Sequence, residues 1–366
     1  MKILHVITNL KPGGAERLMV DLLPQFKKEG HDVSLLLFNG VETPFKKELL
    51  EKGIEIIELS REDDIAEKGS VYSPLNVLKL LKYMRQFDII HTHNSICQLY
   101  VPIAKILTGS KAIIVTTEHN ATNRRRSIKC YKLVDRWMYN RYNAIICIAK
   151  QTEENLVNYI GAKPSIRTIF NGIDTGKFLR DIKDIKGQTS YVITMISAFR
   201  KQKDHETLLR AMTALPDNYR LQFVGRGETE GHMKAICSQM GLGSRVTFLG
   251  MRSDVDLILE NSDIVVLSSH WEGLSLSSIE GMASGRPFVA SDVDGLHEMV
   301  SGAGVLFPHG DDKALANAIR ELCENPDYYR QVAQACQERA KQYDISVMAE
   351  GYLELYESLM NDHHLS

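Results

Sequence analysis

Two glutamates eight residues apart, Glu272 and Glu280, frame the segment of this chain best suited to chemistry. Between them lies Gly273-Leu274-Ser275-Leu276-Ser277-Ser278-Ile279, small and apolar with no other charge. Just before them, Asp263-Ile264-Val265-Val266-Leu267 is short and β-branched, the pattern of a buried parallel strand. The stretch from about Ser277 to Ser284 reads as a helix that stops near Gly285-Arg286-Pro287. Glu272 then falls in a loop at the C-terminal end of a strand, where doubly wound α/β sheets bind ligands. Glu280 falls in the first turns of the following helix. A helix N-terminus there presents unpaired N–H groups and a positive dipole end to an anion such as a diphosphate. Carboxylates beside it can accept hydrogen bonds from sugar hydroxyls. Ser277-x-x-Glu280 has a second reading as a capping box, which needs no ligand.

Other segments add chemistry at strand ends. Gly13-Gly14 follows the first strand and opens a helix, so its backbone can approach a phosphate or sugar closely, or it is a plain tight turn. Glu118-His119-Asn120 directly follows the expected strand Ala112–Thr117, which puts His119 at a ligand-binding edge. The run Arg124-Arg125-Arg126, with Lys129 and Lys132 beyond it, reads as a solvated loop or as a grip on an anionic acceptor or membrane. Several strings are set aside. Asp254-Val-Asp256 and Asp292-Val-Asp294 fit helix entry and turn chemistry. His91-x-His93 and His363-His364 have no partner cluster of metal-ligand spacing in the sequence, so no metal is assigned. Gly225-Arg226-Gly227 lacks the third glycine of a dinucleotide fingerprint.

Alternating strand and helix signals must hold these pieces. The first series of strands is Lys2–Ile7, Asp32–Phe38, Ile54–Leu59, Asp88–His91, Ala112–Thr117 and Ala144–Ile148. The second is Tyr191–Ser197, Arg220–Val224, Val246–Phe248, Asp263–Leu267, Pro287–Ala290 and Gly304–Phe307. Such alternation predicts two doubly wound, Rossmann-like α/β domains with parallel sheets, facing each other across a cleft. The expected boundaries are 1–172 and 191–344, with 173–190 as a polar linker and an amphipathic helix from Ile345 to Met360.

Composition narrows the class. A chain of 366 residues with 25% charged and 44% hydrophobic residues is an ordinary globular protein long enough for two domains. Its apolar runs are too short to span a bilayer, and Met1–Thr8 reads as a first strand, not a signal peptide. Six cysteines without a C-x-x-C pair suggest reduced, mostly buried thiols and hence the cytoplasm. Residues 1–172 carry 25 Lys and Arg against 18 Asp and Glu, a net of +7, while residues 173–366 carry 19 against 28, a net of −9. A basic first half suits an anionic acceptor or membrane surface. The basic residues are scattered and lack an aromatic recognition motif, which argues against nucleic acid.

The segment from Trp271 to Pro287 closely resembles the E-x7-E signature of retaining nucleotide-sugar glycosyltransferases of family 4, which have the GT-B fold. The resemblance continues through Phe288-Val289-Ala290-Ser291 and Gly295-Leu296-His297-Glu298, and reappears in Gly13-Gly14-Ala15-Glu16-Arg17 and Asn171-Gly172-Ile173-Asp174. It implies transfer of a sugar from a nucleoside diphosphate, UDP ahead of GDP, to an acceptor hydroxyl on a saccharide or lipid-linked saccharide in surface polysaccharide biosynthesis. The enzyme would need neither metal nor cofactor, and would work in the cytoplasm or at the inner face of the membrane. The donor would lie mainly on the C-terminal domain and the acceptor on the N-terminal one, with the 345–366 helix crossing back onto the latter. Glu272 would hold the sugar hydroxyls, Glu280 the ribose, and Lys203 the diphosphate, with His119 near the reacting carbon. Gly13, Gly14, Gly225, Met251, Leu274, Ser275 and Leu276 would complete the donor contacts. The family arginine five residues before the lysine is replaced by Ala198, so Arg200 is the substitute in the same loop. Two alternatives remain open: a non-catalytic donor-binding subunit, and another GT-B enzyme such as a nucleotide-sugar epimerase.

Overall fold

Residues 1–11, 13–61, 71–119, 126, 128, 131–163 and 165–365 are described by a computed structural model of the chain. Strands β1 (Lys2–Ile7), β2 (Asp32–Leu37), β3 (Glu55–Glu58), β4 (Ile89–His93), β5 (Ile113–Glu118), β6 (Ala144–Cys147) and β7 (Ile166–Thr168) form one parallel sheet in the order β3-β2-β1-β4-β5-β6-β7. Strands β8 (Tyr191–Ile196), β9 (Tyr219–Val224), β10 (Val246–Gly250), β11 (Ile264–Leu267), β12 (Phe288–Asp292) and β13 (Val305–Pro308) form a second, in the order β10-β9-β8-β11-β12-β13. Strand order reverses between β1 and β4 in one sheet and between β8 and β11 in the other. These are the switch points at whose carboxyl ends doubly wound sheets bind ligands.

The sheets are the centres of two compact units, Met1–Gly172 with Ile345–Ser366, and Ile173–Asp344. Strands β4, β5 and β11 are buried along their whole length, as parallel strands covered on both faces are, and β11 is apolar throughout. In the first unit, helix Gly14–Lys28 turns Leu18, Met19, Leu22, Leu23 and Phe26 onto the sheet at helical spacing. Helix Ile345–Leu365 packs into the same core through Ile345, Met348, Ala349, Tyr352, Leu353 and Tyr356. Val347, on the same helix, is 47% exposed. None of the described helices is long and apolar enough to cross a membrane.

Three expectations change. Strand β4 runs two residues past the expected end and takes in His93. Strand β7 has three residues, too few for a sequence pattern to register. The stretch 173–190 is no linker. Ile173, Phe178 and Ile185 are buried in the second unit's core, and Lys183 pairs with Asp263 at 2.7 Å. Gly285 (φ +73°) lets this strap pass, because a Cβ there would meet the Arg180 and Asp181 carbonyl oxygens at 2.7 and 2.8 Å. Five of the six cysteines are free and buried, and Cys130 lies outside the described residues.

Candidate active site

In the second unit the loops after β8 and β11 are laced together. Lys203 and Ser269 form an antiparallel bridge. Asp204 N–H donates to the Ser268 carbonyl at 3.0 Å, and His270 N–H to that of Gln202 at 2.9 Å. This lacing delivers Glu272 and Lys203 to one spot. Their side chains, 5% and 13% exposed, form an ion pair. Ser269 Oγ donates to Glu272 Oε1 at 2.6 Å and Gln202 Nε2 to Oε2 at 3.1 Å. The carboxylate expected to hold sugar and the cation expected to hold diphosphate therefore hold each other. Gly295 (φ +82°) closes the turn beneath them, since a Cβ there would sit 2.6 Å from the Glu272 and Gly273 carbonyl oxygens.

Helix Leu276–Ala283 starts directly after this loop. Ser275 is its extended N-cap residue, and no side chain caps the helix or places an acid in its first turn. Ser277 lies inside the helix, so the capping box is not formed. Glu280 sits further along, partly exposed, with no hydrogen-bond donor among the described residues. Burial pushes its carboxyl up to about 7, with Lys177 pulling the other way. The result is an uncapped positive helix end with a carboxylate further along it that has no donor among the described residues.

The remaining predicted residues of this unit lie in neighbouring loops. Arg200 is exposed, and no ion pair engages it among the described residues. Gly225 (φ +139°) has a packing reason for its identity, because a Cβ would approach the Ser197 carbonyl oxygen to 2.0 Å. Met251 is 78% exposed, Ser275 is buried, and Leu274 and Leu276 are half-buried against the core. Of the D-x-D strings, Asp254 begins a helix but pairs with Arg252, and Asp292 meets His297 Nδ1 at 2.6 Å.

In the first unit the loops after β1, β4 and β5 adjoin. Asn94, the one non-glycine described with positive φ (76°), donates from Nδ2 to Thr8 Oγ1 at 3.0 Å. Gly13 is the N-cap of helix Gly14–Lys28, and a Cβ there would strike Glu16 Oε2 at 2.3 Å, whereas Gly14 faces open space. His119 meets His93 at 2.9 Å, and burial among these neighbours pulls its imidazole down to about 4. Sequence reasoning set His91 and His93 aside and did not single out His5. Their ring nitrogens cluster within 4.8 Å, so His91 and His93 do have a partner at ligand spacing. Asp204, His270 and His309 form a second such group. In the first group the nitrogens of two rings are spent on neighbours: His91 contacts the Tyr356 hydroxyl and Thr117 Oγ1, and His93 contacts His5 and His119, while His5 Nε2 has no partner among the described residues. The period-two spacing of His91 and His93 was the available signal, since it puts both on one face of a strand.

The arginine run also changes meaning. Arg126 is 12% exposed and pairs with buried Glu118 at 2.6 Å, so it is neither a solvated charge nor open to an acceptor. Glu118 also accepts from Tyr139 at 2.6 Å and Gln98 at 2.7 Å. Arg124, Arg125, Lys129 and Asn120 lie outside the described residues.

Comparison with known proteins bears on the whole chain. A family model described as Glycosyltransferase Family 4 matches residues 12–177, and one described as Glycosyl transferases group 1 matches residues 179–342. The chain is 27% identical over 346 residues, 89% of its length and 88% of the relative's, to the UDP-Gal:alpha-D-GlcNAc-diphosphoundecaprenol alpha-1,3-galactosyltransferase of Escherichia coli. It is 31% identical over 173 residues, 47% of this chain and 46% of the relative, to the N,N'-diacetylbacillosaminyl-diphospho-undecaprenol alpha-1,3-N-acetylgalactosaminyltransferase of Campylobacter jejuni. Among solved structures, Anabaena Alr3699/HepE in complex with UDP superposes with a TM-score of 0.81 at 22% identity, covering 98% of this chain and all of that one. With two parallel-sheet Rossmann-like domains and family models matching both halves, the chain is a glycosyltransferase enzyme of family 4 with the GT-B fold.

Proposed function

We propose that this enzyme moves a hexose from a UDP-sugar to a saccharide on a lipid diphosphate, with retention of configuration and without a metal, in the assembly of a surface glycan. The observation that carries this reading is Glu280, a carboxylate with no hydrogen-bond donor among the described residues, on the uncapped helix that follows the loop of the Lys203–Glu272 pair. A ribose supplies the hydroxyl donors that Glu280 lacks, and a diphosphate supplies the anion that the helix end and Lys203 attract. The E. coli and C. jejuni relatives, by their names, act on diphosphoundecaprenol-linked sugars and form alpha-1,3 linkages. UDP-galactose carries its sugar in the α configuration, so an α product means retention.

In the proposed reaction the sugar C1–O bond to the diphosphate breaks and a C1–O bond to the acceptor forms on the same face. The acceptor proton passes to the departing diphosphate oxygen. Lys203 turns toward that diphosphate as its charge grows, with Arg200 from the same loop. The oxygen it vacates on Glu272 then accepts a sugar hydroxyl. Glu272 is held on both oxygens and is not poised as a nucleophile, which favours front-face substitution over a covalent intermediate.

A lipid-linked acceptor calls for a membrane surface, and helix Tyr131–Tyr139 suits one. Leu133 is 75% exposed, and Tyr131, Val134, Trp137 and Ile128 are exposed with it. Lys132, Arg136 and Arg141 are exposed around them, the combination that anionic bilayers bind. The enzyme would then work at the inner face of the cell membrane. The deciding experiment incubates the purified chain with UDP- and GDP-sugars, with and without EDTA. Slow release of UDP that survives the chelator is expected. Turnover of GDP-sugars alone, or activity lost in EDTA and restored by Mn²⁺, overturns the reading.

A further inference from the structure

An unbranched line of imidazoles runs from the core of the first unit to its ligand edge. His5 and His91 are register partners on β1 and β4, and His93 follows two residues later on the same face. His5 Nδ1 lies 2.9 Å from His93 Nε2, and His93 Nδ1 lies 2.9 Å from His119 Nε2. The His5 and His93 rings are tilted by only 12° with centroids 5.2 Å apart, so they meet edge to edge, as an N–H···N bond requires. His5 Nε2, at the inner end, has no partner among the described residues. His91 lies alongside the line, its own nitrogens on Tyr356 and Thr117.

Burial pushes all of these rings well down, His5 to about 3 and His119 to about 4, so each is neutral near pH 7. A neutral imidazole has one N–H and one lone pair. Each of the two contacts needs one of each. If a single ring pointed the wrong way, two N–H groups or two lone pairs would collide. Two consistent arrangements remain: every proton directed outward, or every proton directed inward. The inward arrangement strands an N–H on His5 Nε2 in the core with no acceptor. The outward one leaves only a bare lone pair there. Buried donors without acceptors are the rarer defect in folded proteins.

We propose that His93, backed by His5, is a positioning residue that locks His119 in the Nδ1–H tautomer, so that His119 meets its ligand as a neutral hydrogen-bond donor and not as a base. That the ligand atom is a sugar oxygen rests on the proposed function; the tautomer does not. A donor at this edge fits the front-face reaction, in which the departing diphosphate takes the acceptor proton and no imidazole base is needed.

The test is a long-range proton–nitrogen spectrum of the full chain with ¹⁵N-labelled histidine near pH 7.5, with the His119 signals identified by their loss in His119→Asn. His119 should show a pyrrole-like Nδ1 and a pyridine-like Nε2. The wild-type spectrum needs no variant, and Nε2 protonation there overturns the proposal. In His93→Leu, or His93→Phe should the first fail to fold, His119 should revert toward the Nε2–H form that free imidazole side chains prefer. An unchanged Nδ1–H signal in either folded variant would show that His93 does not set the tautomer. Titration with UDP-sugars is read separately, so a correct tautomer with no sugar binding would condemn the proposed function and leave the imidazole chain standing.

Discussion

The two units reach their ligand edges with opposite electrostatics. In the second, charges are present and paired in advance, Lys203 on Glu272, and Glu280 is pushed up to about 7 by burial. In the first, beside the Glu118–Arg126 pair, stand neutral imidazoles, His119 pushed down to about 4 and His93 well below its usual value by burial. The usual assignments are exchanged: the glutamate titrates where a histidine ordinarily does, and the histidines titrate where a carboxylate does. The same force acts on both, since burial disfavours whichever form is charged. The difference teaches that a pH response between 6 and 8 in this protein need not come from histidine.

The largest effect is expected from Glu272→Ala. It should remove transfer almost entirely and leave Lys203 as an uncompensated, largely buried cation, at a stability cost of about 3 kcal/mol. Activity assays beside denaturant melts check it, and a variant keeping most of its activity breaks the contrast at its charged end. Lys203→Ala should follow, cutting kcat by about 10²-fold while raising the donor KM far less, since its partner charge grows only as the diphosphate leaves. If Arg200→Ala is silent while Lys203→Ala is severe, Arg200 does not replace the arginine absent at Ala198.

Glu280→Gln should weaken UDP binding roughly tenfold, the worth of a charge-assisted hydrogen bond. Its pH behaviour sharpens the comparison. The folded pKa lies above the unfolded one, so the native state holds a proton that the unfolded state has lost. Stability should therefore fall as pH rises from about 4.5 to about 7, then level off. The glutamine variant should lack this slope, and melting temperatures across that range test it. UDP affinity of the wild type should rise toward pH 7 as the carboxylate ionises. Persistence of that rise in Glu280→Gln would return the titration to another group. Leu133→Asp should produce the smallest change. Liposome association should drop while turnover with a soluble acceptor and the melting temperature stay put; unchanged liposome binding removes the helix Tyr131–Tyr139 from the membrane reading.

The alternation of apolar runs and helical spacing was enough to anticipate both sheets, because parallel strands buried on two faces leave a strong pattern. The places of Glu272, past a strand end, and Glu280, on the following helix, were legible for a similar reason, while Lys203 came from the family resemblance. What stayed hidden depended on contacts remote in the chain. Nothing local says that Glu272 meets Lys203, or that Arg126 turns inward to Glu118. The stretch 173–190 looked like a linker because its buried residues, Ile173, Phe178 and Ile185, follow no helical or strand period. His5 and His93 are separated by 88 residues, and only the β1–β4 register brings them together.

The helix Ile345–Leu365 has a consequence for the order in which this protein can be made. It completes the first unit, closing over His91 with Tyr356, a partner 265 residues away. The second unit is contiguous from Ile173 to Asp344 and has all its residues before that helix exists. Synthesis runs from the N-terminus, so the unit begun first is the one finished last. Until that helix leaves the ribosome, the face of the sheet at His5 and His91 has only part of its cover, with Phe26 of helix Gly14–Lys28 against His5, and the nascent chain carries a finished second unit and an incomplete first one.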